Sequence, residues 1–241
     1  MSRALFISDL HLSVERPATS EQFFRFLNEE AAGCHALYSL GDLFEYWVGD
    51  DGIEDDPLGR QVVRALRVLS KAGVSVHIMV GNRDFLMGSR FCAESGALFL
   101  DDPRVIEIDE ELVLLMHGDT LCTDDAEYQG WRATARSKAW QKDFLAKSLS
   151  ERHDTIEALR AKSKAVVQAK PAGIMDVNEI AVREAFRVHG VSLMIHGHTH
   201  RSAKHKHEVD GRLCQRWVLP DWYGRGGYLA LDAVGPRLVS F

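Results

Sequence analysis

Five short polar clusters gather side chains that could bind a metal ion or move a proton. They are Asp9-Leu10-His11, Gly41-Asp42, Gly81-Asn82-Arg83-Asp84, His117-Gly118-Asp119 and His196-Gly197-His198-Thr199-His200. Each is weak alone. An Asp-x-His after an apolar run is usually a turn with a capping carboxylate, and Gly-Asn suits a plain turn because both residues tolerate positive φ. A lone His117 could be a satisfied buried histidine. The pair His198 and His200 is stronger, because residues i and i+2 of an extended chain project to one side. Together the clusters supply Asp9, His11, Asp42, Asn82, His117, His198 and His200. Carboxylate, amide oxygen and imidazole form the ligand set of borderline divalent metals such as Mn, Fe or Zn. The set contains no thiolate, which argues against a structural zinc site. Seven donors exceed the need of one tetrahedral ion. They suit two ions about 3.5–4 Å apart that share a bridging carboxylate, as in two-metal phosphoester hydrolysis.

Positioning such a set requires elements that end together. An apolar run precedes each cluster: ALFIS (4–8), ALYSL (36–40), VHIMV (76–80), LVLLM (112–116) and SLMI (192–195). Runs of this length stopped by Gly or Asp read as buried strands, and layered α/β enzymes assemble sites just past strand ends. Helical spacing lies between them, from a Ser20 cap through Ala32, over 58–72 and over 177–189. Three further strands are expected at 215–219, 227–231 and 237–241. These features predict a single α/β domain over residues 1–241, without an internal repeat or linker.

One segment departs from the alternation. Residues 126–170 carry helix formers only, with Trp131, Trp140, Phe144, Leu145 and Leu149 interleaved. From Arg132 to Lys170 there are ten Lys or Arg against four Asp or Glu, a net +6 in a chain whose total is −6. The segment is either an ordinary helical pair with a solvated basic face or a cap over the strand-end site, cationic for an anionic ligand and apolar for a greasy one.

Composition narrows the class. The chain has 241 residues, 46% hydrophobic and 27% charged, which is globular and long enough for a large core. Its net charge of −6 disfavours a nucleic-acid binder. Cys34, Cys92, Cys122 and Cys214 form no C-x-x-C pair and no disulfide framework, as expected of a reducing cytosol. Asp9 and His11 interrupt the N-terminal apolar stretch too early for a signal peptide. No stretch approaches the roughly 20 apolar residues of a membrane span.

The five clusters, in this order over residues 9–200, resemble the calcineurin-like metallophosphoesterases. That resemblance implies a four-layer α-β-β-α sandwich. It also implies one ion on Asp9, His11 and His200, a second on Asn82, His117 and His198, and Asp42 bridging them. His196 is then a support rather than a ligand. More narrowly, LFISDLHL, LGDLFEYWVGDD, GNRDFLMGSRF, MHGDTLCTDD, IMDVN and IHGHTHR resemble the UDP-2,3-diacylglucosamine diphosphatases of the lipid A pathway. That family implies two divalent ions, Mn²⁺ foremost, and a helical cap at 122–175. Catalytic roles fall to Asp42, Arg83 and His117. Substrate contacts come from Asn82, Arg83, Asp125, Ser163, Lys170 and His198, while the role of Val167 is left open. The implied substrate is a UDP-linked diacylated glucosamine. Its diphosphate would be cut to UMP and 2,3-diacylglucosamine 1-phosphate by a metal-held hydroxide attacking the α-phosphorus. The implied location is the cytoplasmic face of a bacterial inner membrane, bound peripherally; the basic residues Lys138, Lys142 and Lys147 are candidates for contact with anionic headgroups. The oligomeric state is open, with a monomer favoured.

Arg83 stands where many relatives carry His, and this has a chemical reading. A phosphodiester expels a basic alkoxide and gains from a general acid. A diphosphate expels a phosphate monoester, whose second pKa is about 6, and needs charge neutralisation instead. The alternative is that Arg83 merely pairs with Asp84 or another carboxylate. Rival activities are those of other metallophosphoesterases, such as cyclic-nucleotide or nucleoside-polyphosphate hydrolases, or a non-catalytic scaffold on the same fold.

Overall fold

Alternate side chains of the apolar runs serve two different cores, which is how the chain stacks two sheets. In a computed structural model, residues 3–169, 174 and 176–241 are described, apart from the side chains of 162–169. Strands β1 (Ala4–Ile7), β2 (Ala36–Leu40) and β3 (Ser75–Met79) pair in parallel. Leu5, Ile7, Leu37, Val76 and Ile78 face an outer core. That core is completed by Phe23 and Phe26 of α1 (Pro17–Glu29), Val62 and Leu66 of α2 (Pro57–Lys71) and Phe91 of α3 (Ser89–Ser95). Ala4, Phe6, Ala36, Tyr38, Leu40 and Met79 face the other way, into the space between the sheets. This period of two is what a strand buried on both faces requires.

The remaining strands are β4 (Leu98–Leu100), β5 (Arg104–Ile108), β6 (Glu111–Met116), β7 (Leu193–His196), β8 (Ala203–Val209), β9 (Arg212–Val218), β10 (Gly227–Asp232) and β11 (Gly235–Ser240). The first sheet has the order β11-β10-β1-β2-β3-β4 and the second β5-β6-β7-β9-β8. Val113, Leu115, Leu193 and Ile195 meet the first sheet across the central core. Leu114, Met116 and Met194 of the second sheet pack on its far side against Val182 and Phe186 of the helix Glu179–His189. The layers are therefore helix, sheet, sheet, helix, the expected four-layer sandwich.

Three helices fill the segment without strands: α4 (Ala126–Ala135), α5 (Lys138–Leu145) and α6 (Leu149–Ala169). The helix at Glu179–His189 is α7. The first helix starts at Pro17, not at a Ser20 cap, and Ser20 is buried within it. Proline suits the first helical position because its missing N–H has no intrahelical partner there. That helix stops at Glu29, and Ala32 belongs to a separate 3-10 turn at Ala31–Gly33. The sequence reading missed β8 because exposed Lys204, Lys206 and Glu208 sit on its polar side. Among the described residues no helix is long and apolar enough to cross a membrane.

Candidate metal centre

The polar clusters come together at one end of the two sheets, where β1, β2, β3, β6 and β7 finish. Five of the seven expected ligands sit in the left-handed region of backbone space: Asp9 (φ 56), His11 (φ 50), Asp42 (φ 52), His198 (φ 68) and His200 (φ 55). Non-glycine residues seldom adopt this conformation, and where they do it often marks a functional site. Neighbouring glycines permit the close approach. A Cβ on Gly81 would lie 2.1 Å from Asp42 Oδ1, and one on Gly197 2.3 Å from Asp9 Oδ2. The loops can converge only because these two positions lack side chains.

The ligand atoms fall into two overlapping groups. Asp9, His11 and His200 present atoms within 4.8 Å of one another, as do Asp9, Asp42 and His117. His200 Nε2 lies 3.5 Å from Asp9 Oδ1 and 3.4 Å from His11 Nε2. Asp42 stands between the groups, with Oδ2 3.8 Å from His11 Nε2 and Oδ1 3.8 Å from His117 Nε2. Asn82 Oδ1 lies 3.0 Å from His117 Nε2 and 2.9 Å from His198 Nδ1. Asp9 thus reaches toward both groups, where the sequence reading gave it to one. His117 Nδ1 is 2.9 Å from the Leu40 carbonyl oxygen, an interaction that fixes the tautomer and leaves Nε2 for a metal. Asp9 Oδ1 and His11 Nδ1 are buried without a hydrogen bond. Imidazole nitrogens facing one another beside an unsatisfied buried carboxylate oxygen fit divalent cations well.

Burial and charge pull these groups apart. Burial raises the Asp9 carboxyl, but His200, His117 and His11 outweigh it and hold it well below the usual carboxylate range. Burial lowers His117, yet Asp42, Asp119 and Asp9 overcome this and lift it to about 9. Burial and the charge of His117 bring His198 down to about 4. A metal bound at His117 would have to displace a proton there.

The expected substrate residues are placed unevenly. The Arg83 amide donates to Asp42 Oδ1 at 2.8 Å, so the residue borders the centre. Among the described residues its guanidinium has no ion-pair partner, and the Asp84 carboxylate instead accepts the amides of Gly81, Leu43 and Asp42. Asp125 caps α4, accepting from the Tyr128 amide at 3.0 Å. Lys170 and the side chains of Ser163 and Val167 lie outside the described residues.

Helices α4 to α6 dock on the strand-end loops. Tyr128 donates to Asp119 Oδ2 at 2.8 Å and stacks against His198 at 5.8 Å. Arg132 Nε donates to the same oxygen at 2.7 Å, and Arg136 donates to the Gly81 carbonyl. Arg152 grips both oxygens of Asp51, and Arg160 pairs with Glu45. These arginines are spent on carboxylates and carbonyls of the core, while Lys138, Lys142 and Lys147 stay exposed. A cavity of about 370 Å³ opens beside the centre, lined by Leu12, Phe44, Glu45, Trp47, Leu149 and Arg160 among others.

Sequence reasoning gave no role to Asp84, Asp119 or Glu45, although all three lie in the quoted strings. Their signal was adjacency: each sits within three residues of an expected ligand. His196 is buried, 3.0 Å from Arg216 Nη1 through Nε2 and 2.8 Å from the Gly197 carbonyl through Nδ1. Burial and Arg216 push it down to about 3, so the ring is neutral, with both nitrogens already engaged.

A four-layer sandwich with histidine, carboxylate and amide donors gathered at its strand ends defines a metal-dependent phosphoesterase class, and the family model "Calcineurin-like phosphoesterase" matches residues 2–202. Similar proteins include UDP-2,3-diacylglucosamine hydrolases from Aromatoleum aromaticum, 51% identical over 98% of this chain and 96% of the relative, and from Chromohalobacter salexigens, 46% identical over 98% and 96%. The same-named protein of Chromobacterium violaceum is 49% identical over 96% of each. This chain belongs to the UDP-2,3-diacylglucosamine hydrolase family of calcineurin-like phosphoesterases.

Proposed function

We propose that the chain hydrolyses the diphosphate of UDP-2,3-diacylglucosamine, giving UMP and 2,3-diacylglucosamine 1-phosphate in lipid A biosynthesis. The observation that carries this is Arg83 beside the centre, its amide on Asp42 Oδ1 and its guanidinium without an ion-pair partner among the described residues. Two divalent ions, with Mn²⁺ preferred, would be held by Asp9, His11 and His200 and by Asn82, His117 and His198, with Asp42 between them. When bound, they would lower the pKa of a water to about 7 and draw charge from the phosphoryl oxygens. Asp42 orients both halves of the site, and His117 is fixed by the Leu40 carbonyl. Arg83 neutralises the departing phosphate without giving up a proton. Asn82, Asp125, Ser163, Lys170 and His198 are assigned to the substrate. Residues 122–175 act as the cap, and the apolar stretch of cavity wall formed by Leu12, Phe44, Trp47 and Leu149 supports a lipid ligand.

The reading extends to the membrane. Lys138, Lys142 and Leu145 recur at helical spacing on α5, near exposed Trp131 and Lys147. A cationic face with apolar anchors supports peripheral binding to an anionic cytoplasmic leaflet. A monomer suffices, since every proposed ligand comes from one chain. The test compares hydrolysis of a diacylated UDP-glucosamine with that of a plain UDP-sugar. Strong preference for the acylated compound is expected; equal rates would favour a general nucleoside-diphosphate hydrolase.

A further inference from the structure

Glu45 touches both a proposed metal ligand and the helical cap. Its Oε2 lies 3.4 Å from His11 Nδ1, and its Oε1 accepts from Arg160 Nη2 at 2.8 Å. The Glu45 side chain is 13% exposed and that of His11 2%. His11 turns Nε2 toward His200 and Asp42, so Nδ1 is the nitrogen left for an outer partner. That nitrogen has no aligned hydrogen bond and is otherwise unsatisfied, and Glu45 is the carboxylate beside it. Histidines that ligate metals almost always donate their second N–H to a carboxylate, carbonyl or water, which sets ring orientation and basicity.

Arg160 belongs to α6, more than a hundred residues along the chain from Glu45. Its guanidinium also lies over the Tyr46 ring at 5.2 Å. The arginine therefore determines where the Glu45 carboxylate rests, and α6 carries the arginine.

We propose that Glu45 is a positioning residue that orients His11 for its metal ion, and that Arg160 makes this orientation depend on the docking of α6. The consequence is a centre that binds metal best when the cap is seated. The proposal rests on the two-metal reading above and adds a link between the cap and one of the two ions.

The test is calorimetric titration of the metal-stripped protein with Mn²⁺, which does not depend on turnover. Glu45→Gln keeps the size of the side chain and removes its charge. It should weaken one of the two Mn²⁺ binding steps by about 10–100-fold, the usual cost of losing an outer support. His11→Ala identifies which step that is. Arg160→Gln should weaken the same step by less, and Arg160→Lys should restore part of the loss. In the double variant, Arg160→Gln should add nothing to Glu45→Gln, because its effect runs through that carboxylate. Glu157→Gln, on the same cavity wall, should bind Mn²⁺ as the wild type does. Unchanged affinity in Glu45→Gln, additive losses, or an equal loss in Glu157→Gln would overturn the proposal. If Glu45→Gln does not fold, Arg160→Gln decides alone, and unchanged affinity there overturns it. Wild-type protein that takes up no Mn²⁺ would instead sink the metal centre itself.

Discussion

Asp84 holds Asp42 from behind: its Oδ1 accepts the Asp42 amide at 3.3 Å, and its Oδ2 accepts the next amide, of Leu43, at 2.8 Å. The Gly81 amide closes the cradle at 2.7 Å. A fully buried carboxylate thus fixes the loop that carries the proposed bridging ligand. Burial and the charge of Asp42 raise its carboxyl to about 6.

Asp84→Ala should be among the most damaging substitutions outside the ligands. It orphans several buried amides, each worth about 1–3 kcal/mol, so a loss of roughly 3 kcal/mol or more is expected in urea unfolding. Asp84→Asn keeps one acceptor oxygen and should lose less. Equal midpoints for both variants and wild type would show that the cradle is dispensable.

Chelation should abolish hydrolysis, and Mn²⁺ should restore it. His11→Ala, Asp42→Ala and His117→Ala should each lose more than the roughly 10–100-fold that removal of an outer support costs, with the far-ultraviolet spectrum intact. Full activity in a metal-stripped sample would end the two-metal account.

The cap aromatics differ in what they can report. Phe144 is 3% exposed and shares a core with Trp47 and Phe91, so Phe144→Ala should cost about 3–5 kcal/mol of stability. Trp140 is only half-buried, stacked on Phe144 at 4.9 Å. Trp140→Glu should harm the diacylated substrate more than a small chromogenic phosphodiester. Equal losses on both substrates would make the segment a structural support.

Hydrolysis in ¹⁸O-labelled water should place label in UMP and none in the lipid phosphate. Label in the lipid product would move the attack to the other phosphorus and remove the assigned role of Arg83. In Arg83→His, relative activity should rise below the ordinary imidazole pKa of about 6.5. A profile parallel to wild type would leave Arg83 no role as a fixed charge.

His77 supplies a pH signature remote from the centre. Burial lowers its pKa from 6.5, and its ring stacks on Tyr38 at 4.5 Å. Below pH 6.5 the unfolded chain takes up a proton that the folded ring resists. Stability from this group is therefore complete above pH 6.5 and falls as the pH drops toward the depressed value. His77→Phe should flatten that part of the curve of urea midpoint against pH. An unchanged slope would show that other groups carry it.

The sequence by itself determined the strands that end in Asp9, Asp42, Asn82, His117 and His198, because a buried run with a polar stop has few other readings. It also determined which residue types could hold metal, since that depends on atoms and not on arrangement. Tertiary structure decided the rest. Left-handed backbone at Asp9 and His200 and the bare Cα atoms of Gly81 and Gly197 exist to let distant loops approach, and approach is not a property of any one segment. The direction of the cap arginines was hidden for the same reason: a basic run reads alike whether its charges face solvent or, like Arg152 and Arg160, reach back to Asp51 and Glu45. A contact across a hundred residues is fixed only when the chain closes on itself, and that closure places Glu45 between His11 and the cap.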